Sequence, residues 1–266
     1  MPERPEDLVP DVGEGLRAGK EKGSNPGGLW DTSKTVIYAV LIAMFVRTFA
    51  YEPFSIPSGS MIPTLLVGDY LFVSKFSYGY SKHSFPFSLP LVPGSGRVMF
   101  SEPERGDVAV FKLPSDGKTD YIKRIIGLPG DKVQVKGGLL YINGEPVWRE
   151  PAGIYSYRDT YGRNRNTKLY TEILPGGRKH PIIEESDTNI SDNTIEYTVP
   201  RGHYFAMGDN RDNSKDSRYL DDVGFIPVEN LVGRAEVLVF SYSGSLWKFW
   251  QWGETLRTER FFKGLN

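Results

Sequence analysis

An uncharged apolar run, Thr35-Val-Ile-Tyr-Ala-Val-Leu-Ile-Ala-Met-Phe-Val46, stands between Lys34 and Arg47 and constrains this chain more than any other stretch. A helix needs roughly 20 predominantly apolar residues to cross a bilayer, and the run alone is shorter. Lys34 and Arg47 can extend their stems toward water, and Trp30 and Tyr51 can sit at the two interfaces, which makes the span adequate. The expectation is a single transmembrane helix over residues 35–51. Two other readings stay open: a buried helix of a soluble domain, and the apolar stretch of a cleaved leader with Thr48-Phe-Ala50 as its cleavage site. The long acidic stretch before the run argues against the leader.

Charge placement gives the direction of the span. Arg17, Lys20, Lys22 and Lys34 precede it, and after Arg47 neither Lys nor Arg recurs until Lys75. The positive-inside rule counts these residues rather than net charge, so the N-terminal side is expected in the cytoplasm and the remainder outside. Residues 1–34 are polar, with no apolar periodicity before Trp30, and read as a disordered cytoplasmic tail.

Beyond residue 51 the pattern is mainly β. Tyr70-Leu-Phe-Val-Ser74, Val108-Ala-Val-Phe-Lys112, Tyr121-Ile-Lys-Arg-Ile-Ile126, Lys132-Val-Gln-Val135, Leu139-Leu-Tyr-Ile142 and Ala235-Glu-Val-Leu-Val-Phe-Ser241 are short β-rich runs. Turn signals punctuate them, and Asn143-Gly144 reads as a hairpin turn. Residues 150–200 are more polar and less periodic and look like an insertion. The proline-rich stretch at residues 84–93 either packs on the core as an irregular loop or docks on the bilayer. The aromatic-basic stretch at residues 247–252 is either interfacial or a cover for the core.

Composition removes several chemistries. Cysteine is absent, so thiol proteases, thiolate metal sites and disulfides are excluded. The three histidines, His83, His180 and His203, are scattered without ligand spacing, which leaves little from which to build a zinc site or a Ser-His-Asp triad. A net charge of −1 gives no sign of nucleic acid binding.

Three motifs carry candidate chemistry. Phe54-Ser-Ile-Pro-Ser-Gly-Ser-Met-Ile-Pro-Thr-Leu65 sets a glycine between two serines and frames them with prolines, a tight turn that can place a hydroxyl beside exposed N–H groups. By itself such a triplet is most often a flexible turn. A serine nucleophile with no suitable histidine needs another base. Lys123, flanked by Tyr121, Ile122, Ile125 and Ile126, can serve if burial lowers its pKa; otherwise it is a solvent-facing strand residue. Gly208-Asp-Asn-Arg-Asp-Asn-Ser-Lys-Asp-Ser-Arg218 is either a hydrogen-bonded network loop or a solvated turn. It fails as a calcium loop because Arg211 occupies a ligand position, Ser214 stands where glycine is needed, and no glutamate closes it.

Together and in this order, with Arg105-Gly-Asp-Val-Ala-Val-Phe-Lys112 between the first two, these segments resemble the bacterial type I signal peptidases over residues 50–135 and 204–240. The resemblance implies Ser60 as nucleophile, Lys123 as general base and Ser58 as an oxyanion donor beside the Ser60 N–H. It implies Ser214 as the residue that orients the lysine, and Asp216 with Arg218 as the pair that holds the loop. Phe54, Ile56, Pro57, Met61, Leu65, Leu71, Val110, Tyr121 and Ile122 would line two shallow pockets for small residues at the −1 and −3 positions.

The implied fold is mainly β, the signal-peptidase and repressor-type serine–lysine protease core with an inserted lobe. Its expected limits are a transmembrane helix at 35–51, a catalytic core at 52–135 and 201–245, the lobe at 136–200, and a C-terminal segment at 246–266. No cofactor is implied. The implied partners are signal peptides of exported preproteins and the phospholipid bilayer, with no nucleic acid, and a monomer is expected to suffice. Many relatives have two spans and some a disulfide in the lobe; this chain shows one span and no cysteine. A non-catalytic tethered β-domain that binds export substrates and a self-cleaving repressor are the rival readings.

Overall fold

The computed structural model describes residues 27–84, 96–159, 161–244, 250 and 252–265. The expected disordered tail up to residue 26, residues 85–95 with most of the proline-rich stretch, and residues 245–249 and 251 lie outside the described residues. The chain divides into two compact units, Met1–Ile42 and Ala43–Asn266.

Helix α1 spans Gly27–Phe49. Within it Trp30–Phe49 is long and apolar enough to cross a membrane, and 20 residues at about 1.5 Å each match a hydrocarbon core of about 30 Å. Its large apolar side chains, Val36, Ile37, Val40, Leu41, Ile42, Met44 and Phe45 among them, are all exposed. They surround the helix instead of forming one stripe, which suits lipid on every side better than a soluble core. The helix starts well before the uncharged run because nothing in Trp30-Asp-Thr-Ser-Lys34 breaks it; Thr35 Oγ1 donates to Asp31 O at 2.9 Å inside this first part.

The rest is mainly β, as expected. Its strands are β1 (Tyr51–Ser55), β2 (Asp69–Ser74), β3 (Val108–Lys112), β4 (Asp120–Gly127), β5 (Lys132–Lys136), β6 (Leu139–Ile142), β7 (Glu145–Pro146), β8 (Trp148–Arg158), β9 (Asn164–Ile173), β10 (Lys179–Glu184), β11 (Tyr197–Thr198), β12 (His203–Met207), β13 (Ile226–Pro227), β14 (Leu231–Ser241) and β15 (Lys263–Gly264). The main sheet runs β1-β2-β14-β3-β4-β12-β13, with β15 added to β14. A second sheet is β10-β9-β8, and a third is β11-β5-β6-β7. Asn143 and Gly144 both take positive φ, 55° and 85°, the conformation a two-residue hairpin between β6 and β7 requires.

Residues 148–184, which show no clear alternation in sequence, form the second sheet. Strand β8 is largely exposed on both faces, so neither face carries an apolar row to betray it.

Two features of the main sheet prepare the site. Strand β3 buries side chains on both faces: Val110 joins a cluster with Ile56, Met61, Leu65 and Leu71, while Ala109 and Phe111 join another with Ile125 and Tyr204. Strand β4 pairs with β3 from Asp120 to Arg124, but β12 meets β4 only from Arg124 onward, through a bulge between Phe205 and Ala206. Residues 120–123 therefore present one edge with no strand beside it among the described residues.

Candidate active site

The first motif leaves β1 and turns back toward β2, so its serines lie over the uncovered edge of β4. Ser60 is 8% exposed and Lys123 4%. Lys123 Nζ donates to Ser60 Oγ at 2.7 Å and to the Ile122 carbonyl at 3.0 Å. Ser58 Oγ lies 3.3 Å from Ser60 Oγ. Burial is the main cause that brings the Lys123 pKa down, to about 8; Arg218 adds to it, and Asp216 and Asp209 oppose it. A buried amine this close to a hydroxyl, with a pKa near neutrality, can take the hydroxyl proton.

The third motif stands behind this pair. Asp216 receives Arg218 Nε on Oδ1 and Arg218 Nη2 on Oδ2, both at 2.9 Å, and the Gly208 N–H at 3.0 Å. Burial would raise the Asp216 pKa, but the Arg218 guanidinium outweighs it and holds the carboxyl below its usual range. Arg218 also donates to the Arg211 carbonyl at 2.6 Å. Ser214 Oγ is buried and makes no hydrogen bond to Lys123; it lies beside Asp216, whose charged form it helps to hold. It packs on Gly208 so closely that a Cβ there would stand 2.2 Å from it and 2.5 Å from the Ser60 carbonyl oxygen.

A cleft of about 920 Å³ opens over the pair. Phe54, Ile56, Pro57, Val110, Tyr121 and Ile122 line it, together with Ser58, Ser60, Lys123 and Ser214. Met61, Leu65 and Leu71 lie instead in the core cluster beneath, almost fully enclosed. Asp120, Asp212, Asn213, Lys215 and Tyr219 also face the cleft, and none of them was singled out from the sequence.

A second network had no sequence-based assignment. Arg124, next to Lys123 but on the other side of the strand, donates to Asp209 at 2.9 and 2.7 Å and to the Gly106 carbonyl at 2.7 Å. Thr64 Oγ1 donates to the same carboxylate at 2.5 Å. Thr64, Arg124 and Asp209 thus join all three motifs at one point. The residues sat inside the quoted motifs, but a local pattern does not show which of its charges face one another. Among the described residues no group of three or more His, Asp or Glu converges to hold a metal ion.

The family model described as signal peptidase, peptidase S26, matches residues 29–240. The chain belongs to this family. A signal peptidase I of Rickettsia typhi (strain ATCC VR-144 / Wilmington) is 39% identical over 260 residues, covering 88% of this chain and 96% of the relative. One of Rickettsia canadensis (strain McKiel) is 39% identical over 251 residues, covering 87% and 92%. A crystal structure of a signal peptidase I from Enterococcus faecalis V583 is 30% identical, covers 50% of this chain and 97% of that chain, and has a TM-score of 0.30. Family membership makes the chain a protease of the signal peptidase kind, with an N-terminal apolar helix suited to membrane anchoring.

Proposed function

We propose that the chain is a membrane-anchored signal peptidase I that removes signal peptides from exported preproteins, cutting after small residues at Ala-x-Ala sites by a Ser60/Lys123 mechanism. One observation carries the reading: the buried, hydrogen-bonded contact of 2.7 Å between Lys123 Nζ and Ser60 Oγ. Neutral Lys123 takes the Ser60 proton while Oγ bonds to the scissile carbonyl carbon. The Ser60 N–H and the Ser58 hydroxyl receive the oxyanion. Collapse breaks the C–N bond, and the Lys123 ammonium returns its proton to the leaving amine. A water then gives a proton to Lys123 and attacks the ester, and Ser60 leaves as its hydroxyl when Lys123 hands that proton back.

The substrate lies extended between residues 53–58 and the uncovered edge of residues 120–123, where backbone groups can pair with it. Phe54, Ile56, Pro57, Val110, Tyr121 and Ile122 form the pocket walls, and Met61, Leu65 and Leu71 set the pocket depth from below. Ser214, Asp216 and Arg218 keep the lysine side of the site in shape. We read Trp30–Phe49 as the bilayer span, in place of residues 35–51, because the helix starts earlier and Tyr51 already opens β1, with the N-terminus cytoplasmic and the catalytic body outside. Residues 52–135 and 201–245 are the catalytic core, residues 136–200 an inserted lobe, and a single copy is the working unit.

The test is cleavage of a preprotein bearing an Ala-x-Ala site by the purified chain in detergent, beside Ser60→Ala. Cleavage at that site by the wild type alone is the expected result. Cleavage by both removes Ser60 from the mechanism. Cleavage by neither, with both proteins folded, favours a non-catalytic tethered domain.

A further inference from the structure

A buried ionic cluster between the β8–β10 sheet and the third motif takes no part in that mechanism. Glu172, in β9, accepts hydrogen bonds from Arg211 Nη1 at 2.8 Å and Nη2 at 2.5 Å, and both residues are buried. His180, opposite Glu172 in the register of β10, sets Nε2 3.3 Å from Glu172 Oε2 and 3.8 Å from Asp209 Oδ1. Burial opposes the Glu172 charge, yet Arg211 and His180 hold its carboxyl well below the usual range. Burial, helped by Arg124, lowers the His180 pKa, so the ring is neutral at pH 7 and the charge pair is Glu172 with Arg211. A buried ion pair adds little net stability against an apolar pair of the same shape, so its role lies in what it positions.

It positions the turn Arg211–Asn213 and the residues just before it. The β8–β10 side grips this turn at further points. The Ile183 N–H donates to Asp209 O at 2.9 Å, Asn210 Nδ2 donates to Tyr157 Oη at 3.3 Å, and Asp212 Oδ2 accepts from the Glu185 and Ser186 N–H groups at 2.6 and 3.0 Å. On its opposite side the turn holds the nucleophile. Asn210 donates its backbone N–H to the Ser60 carbonyl at 3.1 Å and its Nδ2 to the Gly59 carbonyl at 3.0 Å. The Gly59 C=O and the Ser60 N–H belong to one planar peptide and, in the trans form, point in opposite directions. Whatever fixes the first aims the second.

We propose that Asn210 is a positioning residue that aims the Ser60 N–H at the oxyanion, and that Glu172, through Arg211, braces Asn210 from the second sheet. This rests on the peptidase reading of the site. It also gives the β8–β10 sheet a function: it holds the nucleophile turn from behind, and Tyr157, Glu172, His180 and Arg211 do so without lining the cleft.

The experiment is a pH–rate profile of preprotein cleavage by the full chain in detergent, with kcat and KM separated. The variants are Asn210→Ala, Glu172→Gln with Arg211→Met together so that no buried charge is left alone, the three combined, and Ser60→Ala as the control. Rates are referred to folded protein measured by circular dichroism. Asn210→Ala and the paired variant should each lower the kcat plateau about 10- to 100-fold, with KM near wild type. The three changes together should lose little more than either alone, because they act through one turn. The midpoint of the profile should stay in place, whereas a general loosening would rehydrate Lys123 and move it upward. A wild-type plateau in either folded variant, losses that multiply in full, or an upward-shifted midpoint overturns the proposal. If the paired variant does not fold, Arg211→Lys decides: it keeps the charge and loses the two-pronged hold, so a lowered plateau supports the brace and a wild-type plateau overturns it. Wild-type cleavage by Ser60→Ala would instead remove Ser60 from the mechanism, and with it the reading of the site on which this proposal rests.

Discussion

Lys123 links burial to chemistry. With a folded pKa of about 8, roughly one amine in ten is neutral at pH 7, against one in a few thousand for an ordinary lysine. In the proposed mechanism the neutral form is the base, so kcat/KM should rise about tenfold per pH unit toward pH 8 and level off above it. A flat profile between pH 6 and 9 would exclude Lys123 as the titrating base. Stability follows the same proton. The folded pKa lies below the ordinary 10.5, so below about pH 8 both states are protonated and folding bears the full desolvation of the ammonium. Between about pH 8 and 10.5 the unfolded chain binds more protons, and stability rises with pH. Lys123→Met should therefore be inactive yet more stable than wild type at pH 7, by at most roughly 3 kcal/mol, with the gap narrowing toward pH 10 in thermal unfolding. Gly208 has the opposite character. An added methyl has no room between Ser214 Oγ and the Ser60 carbonyl, so Gly208→Ala should lower cleavage at least about 100-fold through displacement of the reacting groups while circular dichroism stays unchanged.

Among the elements, β4 does the most, because its pairing changes partway along. From Arg124 onward it pairs with β12, and on its other side Ile125 exchanges hydrogen bonds with Gly106 and Asp107 just before β3; before Arg124 it pairs with β3 alone, and the free edge is where an extended peptide can add. The C-terminal strand matters for another reason. Strand β15 pairs with β14 at Val237 and Leu238, and the chain just before it brings Arg260 to Asp69, at 2.6 Å, and to the Thr64 carbonyl, at 2.9 Å. Asp69 is fully buried and also accepts the Leu66 N–H and the Ser241 hydroxyl, so it fixes the return of the nucleophile loop to β2. Arg260→Ala strips this carboxylate of its nearest cation, although Arg257 stays 3.6 Å away. The expected loss is roughly 3 kcal/mol in urea unfolding. An unchanged midpoint would show that Arg257 or water takes over.

At the scale of the whole molecule, residues 1–42 and the β body are separate compact units. A chain starting at Ala43 should keep the wild-type β spectrum and cleave a short soluble Ala-x-Ala peptide at close to the wild-type rate. It should lose membrane association, and it should process a bilayer-inserted preprotein about 100-fold more slowly, since the anchor acts by raising local concentration. Equal loss on both substrates would mean that the N-terminal unit shapes the site itself.

Local sequence was enough to mark the apolar helix, six of the strands, the Asn143-Gly144 turn and the order of the motifs, because each depends on neighbours within a few residues: an uncharged run, a two-residue alternation, a glycine at positive φ. The same signals marked the Ser58-Gly59-Ser60 turn and Lys123 in its apolar run, while the choice of Ser60 as nucleophile came from the family resemblance. Tertiary structure alone decided how far each residue stood from its partner in a distant element. It carried Met61, Leu65 and Leu71 beneath the cleft, joined Thr64 and Arg124 to Asp209, and seated Arg211 on Glu172 from a sheet whose strands had no apolar alternation to show them. Burial and ion pairing across long stretches of chain are properties of the packed fold, and a run of residues read in order does not contain them.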